Sequence, residues 1–303
     1  MRGAELPTDE AKGTAWELRC HLAPLGVAVL VIANDPALLA AVRAAYADWT
    51  VEAPALRGTI ELRLERKTGA PESVSDGIRV EGSRLTVGMP GAAGWADARS
   101  GRACCVVTDA TDTVAEIVDT ILLFLLARTG RTPVHAAGVM LGETALILAG
   151  PSGSGKSTLA LAAIQSGLPI LSDDTLYIQL DPHLRLWGFP RPIHVFEKDA
   201  PPGEHPERLR GGKRKKAVPP SVRGALFADR SELIVLERGN ALNLRPIEPP
   251  EAIASLSRLD PGFDLLAEAS GQAIRALAEA GAWRLTLSRD PRAAIALLID
   301  RFG

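Results

Sequence analysis

Eight consecutive residues, Gly150-Pro151-Ser152-Gly153-Ser154-Gly155-Lys156-Ser157, fit the pattern G-x-x-x-x-G-K-S. Each residue type suits a task in holding phosphate. Glycines let the backbone turn tightly, so that successive N–H groups point inward at phosphate oxygens. A helix that opens at the Lys adds the partial positive charge of its N-terminus, and the Lys156 ammonium reaches the β- and γ-phosphates. The Ser157 hydroxyl suits Mg²⁺, and Thr158 follows it in the first helical turn. The flanks agree: residues 144–149 form an apolar run that predicts a buried strand, and residues 158–166 a helix. Together these residues predict a site for a nucleoside triphosphate with Mg²⁺.

Further along, Leu171-Ser172-Asp173-Asp174 sets two carboxylates 17 and 18 residues after Lys156, where the strand after the loop helix ends. In a parallel α/β arrangement that strand end lies beside the phosphate loop. One carboxylate there can help to hold Mg²⁺, directly or through water. The other can accept the proton of an attacking hydroxyl. Adjacent Asp residues also make ordinary turns, and the pair by itself leaves both open. His135, in Val134-His135-Ala136-Ala137, stands at the mouth of the strand leading to the loop. A lone His beside an apolar run is as a rule a packed or hydrogen-bonded residue rather than a catalyst.

Other phosphate-loop classes leave marks that this chain lacks. No N-K-x-D guanine reader is present. Ala269-Ser270-Gly271-Gln272 is superficially like the L-S-G-G-Q signature of transporter ATPases, without its double glycine and inside a helical pattern. The run Leu233-Ile234-Val235-Leu236-Glu237 imitates a Walker B strand, but Leu236 stands where such ATPases place an Asp, which favours a structural strand.

These residues need a scaffold, and 303 residues are enough for two cores. Apolar residues make up 47% and charged residues 23%, the balance of an ordinary globular protein. A net charge of −2 argues against a nucleic-acid-coating protein. Cys20, Cys104 and Cys105 have no metal-ligand spacing, and an adjacent pair suits a disulfide poorly, so a reducing cytoplasm is expected. Residues 1–13 are polar, without a signal-peptide core. Residues 114–127 are the most lipid-like stretch, yet they carry Glu116 and Asp119 and are too short to span a bilayer, so a buried amphipathic helix is expected and no membrane partner.

Up to a boundary near residues 130–133 strands and helices mix, with a helix started by Asp35-Pro36 and a hairpin about Gly82. No catalytic constellation falls there, and a scaffold or substrate-docking module is the plain expectation. Beyond it, strands are predicted at 135–141, 144–149, 170–171, 176–180, 184–187, 231–237 and 283–287. Helices are predicted at 249–256 and 263–280, and a terminal one capped by Asp290 and running to Phe302. Residues 200–220, rich in Pro, Gly and cations without periodicity, predict a mobile loop. Its Lys213-Arg214-Lys215-Lys216 run is either a solvated face or a grip on ATP or an acidic peptide.

Taken together, Val134-His135-Ala136-Ala137-Gly138, Gly150 to Ser157 and Leu171 to Asp174 resemble the catalytic core of the bacterial HPr kinase/phosphorylase family. The resemblance implies an α/β fold: a phosphoenolpyruvate-carboxykinase-like phosphate-loop kinase domain over residues 131–303, with a smaller N-terminal α+β domain over residues 1–130. It implies ATP and Mg²⁺ as cofactors. Lys156 becomes the phosphate clamp, Ser157 and Asp173 attend the metal, Asp174 is the general base, and His135 supports the Asp pair. Arg191, in Gly188-Phe189-Pro190-Arg191-Pro192, falls where the family has an Arg able to neutralise the transferring phosphate.

Three departures narrow the resemblance. Phe189 stands where the family offers a Glu to Mg²⁺, Thr158 replaces a Glu after the loop Ser, and the Gly-Arg loop of the reverse reaction has no clean counterpart, Gly211 to Lys216 falling nearest. They weigh against HPr as acceptor and against phosphorylase activity. The chain is more similar to divergent HPr-kinase-like proteins encoded beside peptide natural-product genes, lasso peptides included, some of which phosphorylate a serine of a precursor peptide. A cytoplasmic serine kinase acting on a peptide or small protein is therefore expected, and a multimer is what the family implies. A kinase for a free amino acid, and an ATP-gated binding module without transfer, are the alternatives.

Overall fold

A computed structural model describes residues 18–52, 60–68, 77–108, 111–189, 191–210, 213–220, 222, 224–256 and 267–303. The polar start, Pro190, Gly211, Gly212 and residues 263–266 lie outside them. The chain divides into two compact units, Met1–Thr129 and Gly130–Gly303.

The first unit runs β1 (Leu18–Leu22), β2 (Val29–Ala33), α1 (Pro36–Ala45), β3 (Thr50–Val51), β4 (Ile60–Arg66), β5 (Gly77–Glu81), β6 (Arg84–Met89), β7 (Ala92–Asp97), β8 (Arg102–Val107) and α2 (Thr111–Ala127). Its strands form one sheet in the order β3-β1-β2-β4-β8-β7-β6-β5. Asp35 caps α1, its Oδ1 accepting the Ala37 and Leu38 N–H groups at 2.8 and 3.1 Å, with Pro36 at the first helical position. In α2 the buried side chains Val114, Ile117, Val118, Ile121, Leu122, Leu125 and Leu126 recur at helical spacing. Asp119 on the same helix takes the Tyr46 hydroxyl at 2.7 Å. Among the described residues no helix is long and apolar enough to cross a membrane.

The second unit runs β9 (Thr132–Val134), β10 (Ala136–Leu141), β11 (Thr144–Ala149), α3 (Lys156–Gln165), β12 (Ile170–Ser172), β13 (Leu176–Gln179), β14 (Arg185–Trp187), β15 (Ile193–Val195), β16 (Glu207–Arg210), β17 (Lys213–Val218), β18 (Phe227–Ala228), β19 (Arg230–Arg238), β20 (Asn243–Pro246), α4 (Pro249–Leu256), α5 (Ala267–Ala280), β21 (Ala282–Leu287) and α6 (Pro291–Phe302). Six strands in the order β12-β10-β11-β19-β21-β20 make the central sheet. It is buried on both faces. From β11, Ala145, Ile147 and Ala149 enter the core shared with α4 and α5, while Leu146 and Leu148 enter the one shared with α3 and α6. Leu233 and Val235 against Ile234 and Leu236 do the same from β19, which is why both strands are continuous apolar runs.

Two smaller sheets, β18-β14-β13-β9 and β15-β17-β16, complete this unit. The first corrects the strand expected at 135–141. Thr132–Val134 pairs with β13 in the side sheet, whereas Ala136–Leu141 pairs with β11 and β12 in the central one, and the chain bends at His135 between them. The chain from β12 to β13 makes the same change of sheet at Asp173-Asp174-Thr175. The second small sheet corrects the mobile loop expected at 200–220: β16 and β17 pair as a hairpin, and β17 pairs in turn with β15.

Close backbone approach pins this corner. A Cβ on Gly188 would strike the backbone of Leu171, and one on Gly138 would meet Leu176 Cδ2 at 2.9 Å and Leu171 Cβ at 3.0 Å. Both positions sit against the strand that ends at the Asp pair, so they are held to glycine by space rather than by backbone angle.

Candidate active site

The loop between β11 and α3 turns on glycines where the chain demands them. Gly153 and Gly155 have φ of 80° and 113°, in the region that L side chains rarely enter. A Cβ on Gly150 would meet Ser154 Oγ at 2.8 Å and the Leu236 carbonyl at 3.1 Å, so β19 leaves no room there. The Ser154 N–H closes the turn on the Pro151 carbonyl at 3.0 Å. Ser154 itself is buried, and its hydroxyl has no hydrogen-bond partner. Pro151, Ser152 and Gly153 are exposed. The helix begins at Lys156, so the N–H groups of Lys156, Ser157 and Thr158 have no intrahelical acceptor.

Lys156 is 7% exposed, and its Nζ donates to the Gly150 carbonyl at 2.7 Å and the Pro151 carbonyl at 3.3 Å. Burial lowers its pKa, and the charges of Asp174 and Asp173 oppose that shift. Both carboxylates therefore lie within electrostatic reach of the loop ammonium. The topology explains how. β10 lies between β11 and β12 and is antiparallel to each, so β11 and β12 run in the same direction and end on the same side.

The Asp pair divides into an inner and an outer carboxylate. Asp173 is partly buried; its Oδ2 accepts the His194 N–H from β15 at 3.1 Å, and its Oδ1 is buried without a hydrogen-bond partner. Burial raises its pKa, opposed by the His194 N–H, the nearby Ser157 hydroxyl and the Lys215 charge, while Asp174 pushes it further up. Asp174 points outward, its side chain 79% exposed. His135 Nδ1 lies 3.0 Å from the Asp174 carbonyl oxygen and 3.3 Å from its Oδ1. A carbonyl only accepts, so this nitrogen carries the proton and the imidazole braces the residue from behind.

The loop, Lys156, Ser157, both carboxylates and His135 thus meet at the corner where two chain segments change sheets. Arg191 is held differently. Its guanidinium lies 5.0 Å from the Phe189 ring centroid. Phe189 is 8% exposed and meets Tyr177 edge to face at 6.1 Å, so that position offers an apolar contact and no metal ligand. Thr158 is exposed on the first turn of α3. Glu237, at the end of the Walker-B-like strand, is occupied by Thr286 Oγ1 at 2.8 Å and Arg284 at 3.2 Å.

Two contributors are not legible in the sequence, and a third, Lys215, belongs to the basic run left open there between a solvated face and an anion grip. Arg238 Nε holds the Gly153 carbonyl at 2.9 Å across 85 residues, the His194 N–H holds Asp173 across 21, and Lys215 acts on Asp173 from β17. The first sits two residues past the apolar run 233–236, directly after Glu237; the His194 contact follows from strand pairing alone. Among the described residues no three His, Cys, Asp or Glu side chains converge as a metal cage. Asp173, whose Oδ1 has no hydrogen-bond partner, and the nearby Ser157 hydroxyl are instead the sparse donor set that suits Mg²⁺, an ion that commonly keeps water and substrate phosphate as its remaining ligands.

No family model matches the chain, and no curated protein matches it. Among solved structures it is similar to the Hpr(Ser) kinase/phosphatase from Coxiella burnetii, with 12% identity, a TM-score of 0.29, and coverage of 56% of this chain and 95% of that one. At that identity and score the likeness decides nothing about chemistry, which rests on the residues themselves.

Proposed function

We propose that this chain is an ATP- and Mg²⁺-dependent kinase that transfers the γ-phosphoryl group to a serine hydroxyl of a peptide or small protein. One observation carries the proposal: an exposed carboxylate, Asp174, is braced by His135 within electrostatic reach of the phosphate-loop ammonium. A nucleotide switch needs the loop; it has no use for a braced base beside it. The combination supports an HPr-kinase-like catalytic domain of the phosphoenolpyruvate-carboxykinase type, with β10 inserted antiparallel between the loop strand and β12. The openness of Asp174 favours a large acceptor that covers the site itself over a free amino acid enclosed by the protein. A serine in a lasso-type precursor peptide has the right size and chemistry.

In this mechanism the loop N–H groups and Lys156 hold the triphosphate, and Asp174 aligns the acceptor hydroxyl. The acceptor oxygen bonds to the γ-phosphorus as the bond from that phosphorus to the β–γ bridging oxygen breaks. The hydroxyl proton passes to Asp174 and then to solvent, and ADP leaves. Mg²⁺ bound by Ser157 and Asp173 would neutralise charge on the β- and γ-oxygens. Incubation with ATP, Mg²⁺ and serine-containing peptides, read by intact mass, tests the proposal. Phosphopeptide is the expected product; phosphorylation of free serine alone, or ATP-dependent peptide capture without any phosphorylated product, would refute it.

The inner carboxylate gives an independent prediction. Burial raises the Asp173 pKa in the folded chain, so its ionised form costs stability at neutral pH, a cost that fades as pH falls through the raised pKa. Asp173→Asn keeps an acceptor for the His194 N–H and removes the charge. It is expected to slow transfer about 10²–10³-fold while raising the melting temperature at neutral pH by about 2–4 °C per kcal/mol relieved. That gain should shrink on acidification toward the ordinary Asp range. Calorimetric scans at several pH values beside single-turnover assays would show both.

A further inference from the structure

The basic run that sequence alone leaves between a solvated face and an anion grip lies on β17, where register separates its members. Ala217 pairs with His194, the residue whose N–H holds Asp173. Lys215, two residues from Ala217, shares that side of the strand, and its charge acts on Asp173. Its neighbours are committed elsewhere: Arg214 pairs with Glu207 at 3.1 Å, and Lys216 lies 3.7 Å from both Glu197 and Glu207. Among the described ion pairs Lys215 has no carboxylate partner. Its ammonium instead lies 5.7 Å from the ring centroid of Phe196, a residue that is 43% exposed.

An exposed aromatic face holds an ammonium more weakly than a phosphate oxygen does. A cation kept on such a ring, one residue away from two neighbours tied down by carboxylates, can be exchanged to an incoming anion at small cost. The charge that needs it is the γ-phosphoryl group, whose transfer spreads charge over three equatorial oxygens. Lys156 reaches those oxygens from the loop; a cation on a separate hairpin reaches them without disturbing the loop.

We propose that Lys215 is a second phosphate-binding cation of this site, leaving the Phe196 ring to contact the γ-phosphoryl oxygens of bound ATP. The proposal rests on the kinase reading of the same site, which supplies that group. Fluorescent ATP and ADP analogues, titrated with Mg²⁺ into the full chain, separate the two ideas. Lys215→Ala is expected to weaken ATP about 10-fold, equivalent to about 1.4 kcal/mol, with ADP affinity unchanged. Lys215→Met should do the same while keeping the aliphatic stem over Phe196, which removes hairpin packing as an explanation. Lys215→Arg should keep the preference for ATP, and Arg214→Ala should leave both affinities as they are. Equal losses for ATP and ADP, or no loss for either, would overturn the role of Lys215 and leave the kinase reading standing. A wild-type chain that binds neither nucleotide overturns both.

Discussion

Asp174→Asn is expected to slow phosphoryl transfer about 10²–10⁴-fold, the range for removing a positioned general base, with ATP affinity unchanged. The substitution is close to isosteric, and the backbone carbonyl that accepts from His135 Nδ1 at 3.0 Å is untouched, so the corner keeps its shape. What disappears is the outward carboxylate, 79% exposed and free to face an acceptor hydroxyl. Single-turnover rates at saturating nucleotide, beside equilibrium nucleotide binding, separate the base from the binding site. Ordinary turnover in Asp174→Asn would remove this residue from the chemistry. A collapse of nucleotide binding would mean that its charge organises the loop instead.

Lys156→Ala is expected to be as severe by a different route, costing both ATP binding and transfer, with transfer down at least about 10²–10³-fold. Lys156 is 7% exposed, and its ammonium donates to the Gly150 and Pro151 carbonyls at 2.7 and 3.3 Å. Its burial against a lowered pKa is opposed chiefly by the two Asp charges. A group held at that cost, at the first residue of α3, points to a ligand for the charge. Lys156→Met keeps the stem volume, so the same loss in that variant would identify the charge as what matters. Nucleotide titration and transfer assays on both variants provide the comparison.

The glycine-rich turn between β11 and α3 is legible because its requirements fall in adjacent residues: glycines at φ of 80° and 113°, then the ammonium and hydroxyl at the helix start. The Asp pair was legible for a similar reason, at the end of a short apolar strand. The change of sheet at His135 was not. Residues 134–141 are almost continuously apolar, and nothing local distinguishes one buried strand from two that belong to different sheets. Strand β7 hid behind its composition: Ala92, Ala93, Gly94 and Ala96 are poor strand formers by type. They are small because α2 packs close, and a Cβ on Gly94 would stand 2.8 Å from both Ile121 Cδ1 and the Cys104 carbonyl. The hairpin β16–β17 was masked by cations on both faces, which erase the alternation that marks a half-buried strand. His194 and Arg238 reach the site through pairing between distant segments, a relation that spacing along the chain does not carry, and the same pairing decides which member of the basic run, Lys215, acts on Asp173.

Whether the Asp pair attends the terminal phosphate is tested most directly by a crystal structure with Mg²⁺ and a non-hydrolysable ATP analogue. The γ-phosphate is expected within hydrogen-bond reach of Lys156 Nζ, the metal on Ser157 and Asp173, and the Asp174 carboxylate facing the γ-phosphorus from the acceptor side. A triphosphate running instead toward Glu237 and Arg284, with Asp173 and Asp174 remote from its terminal phosphate, would contradict it.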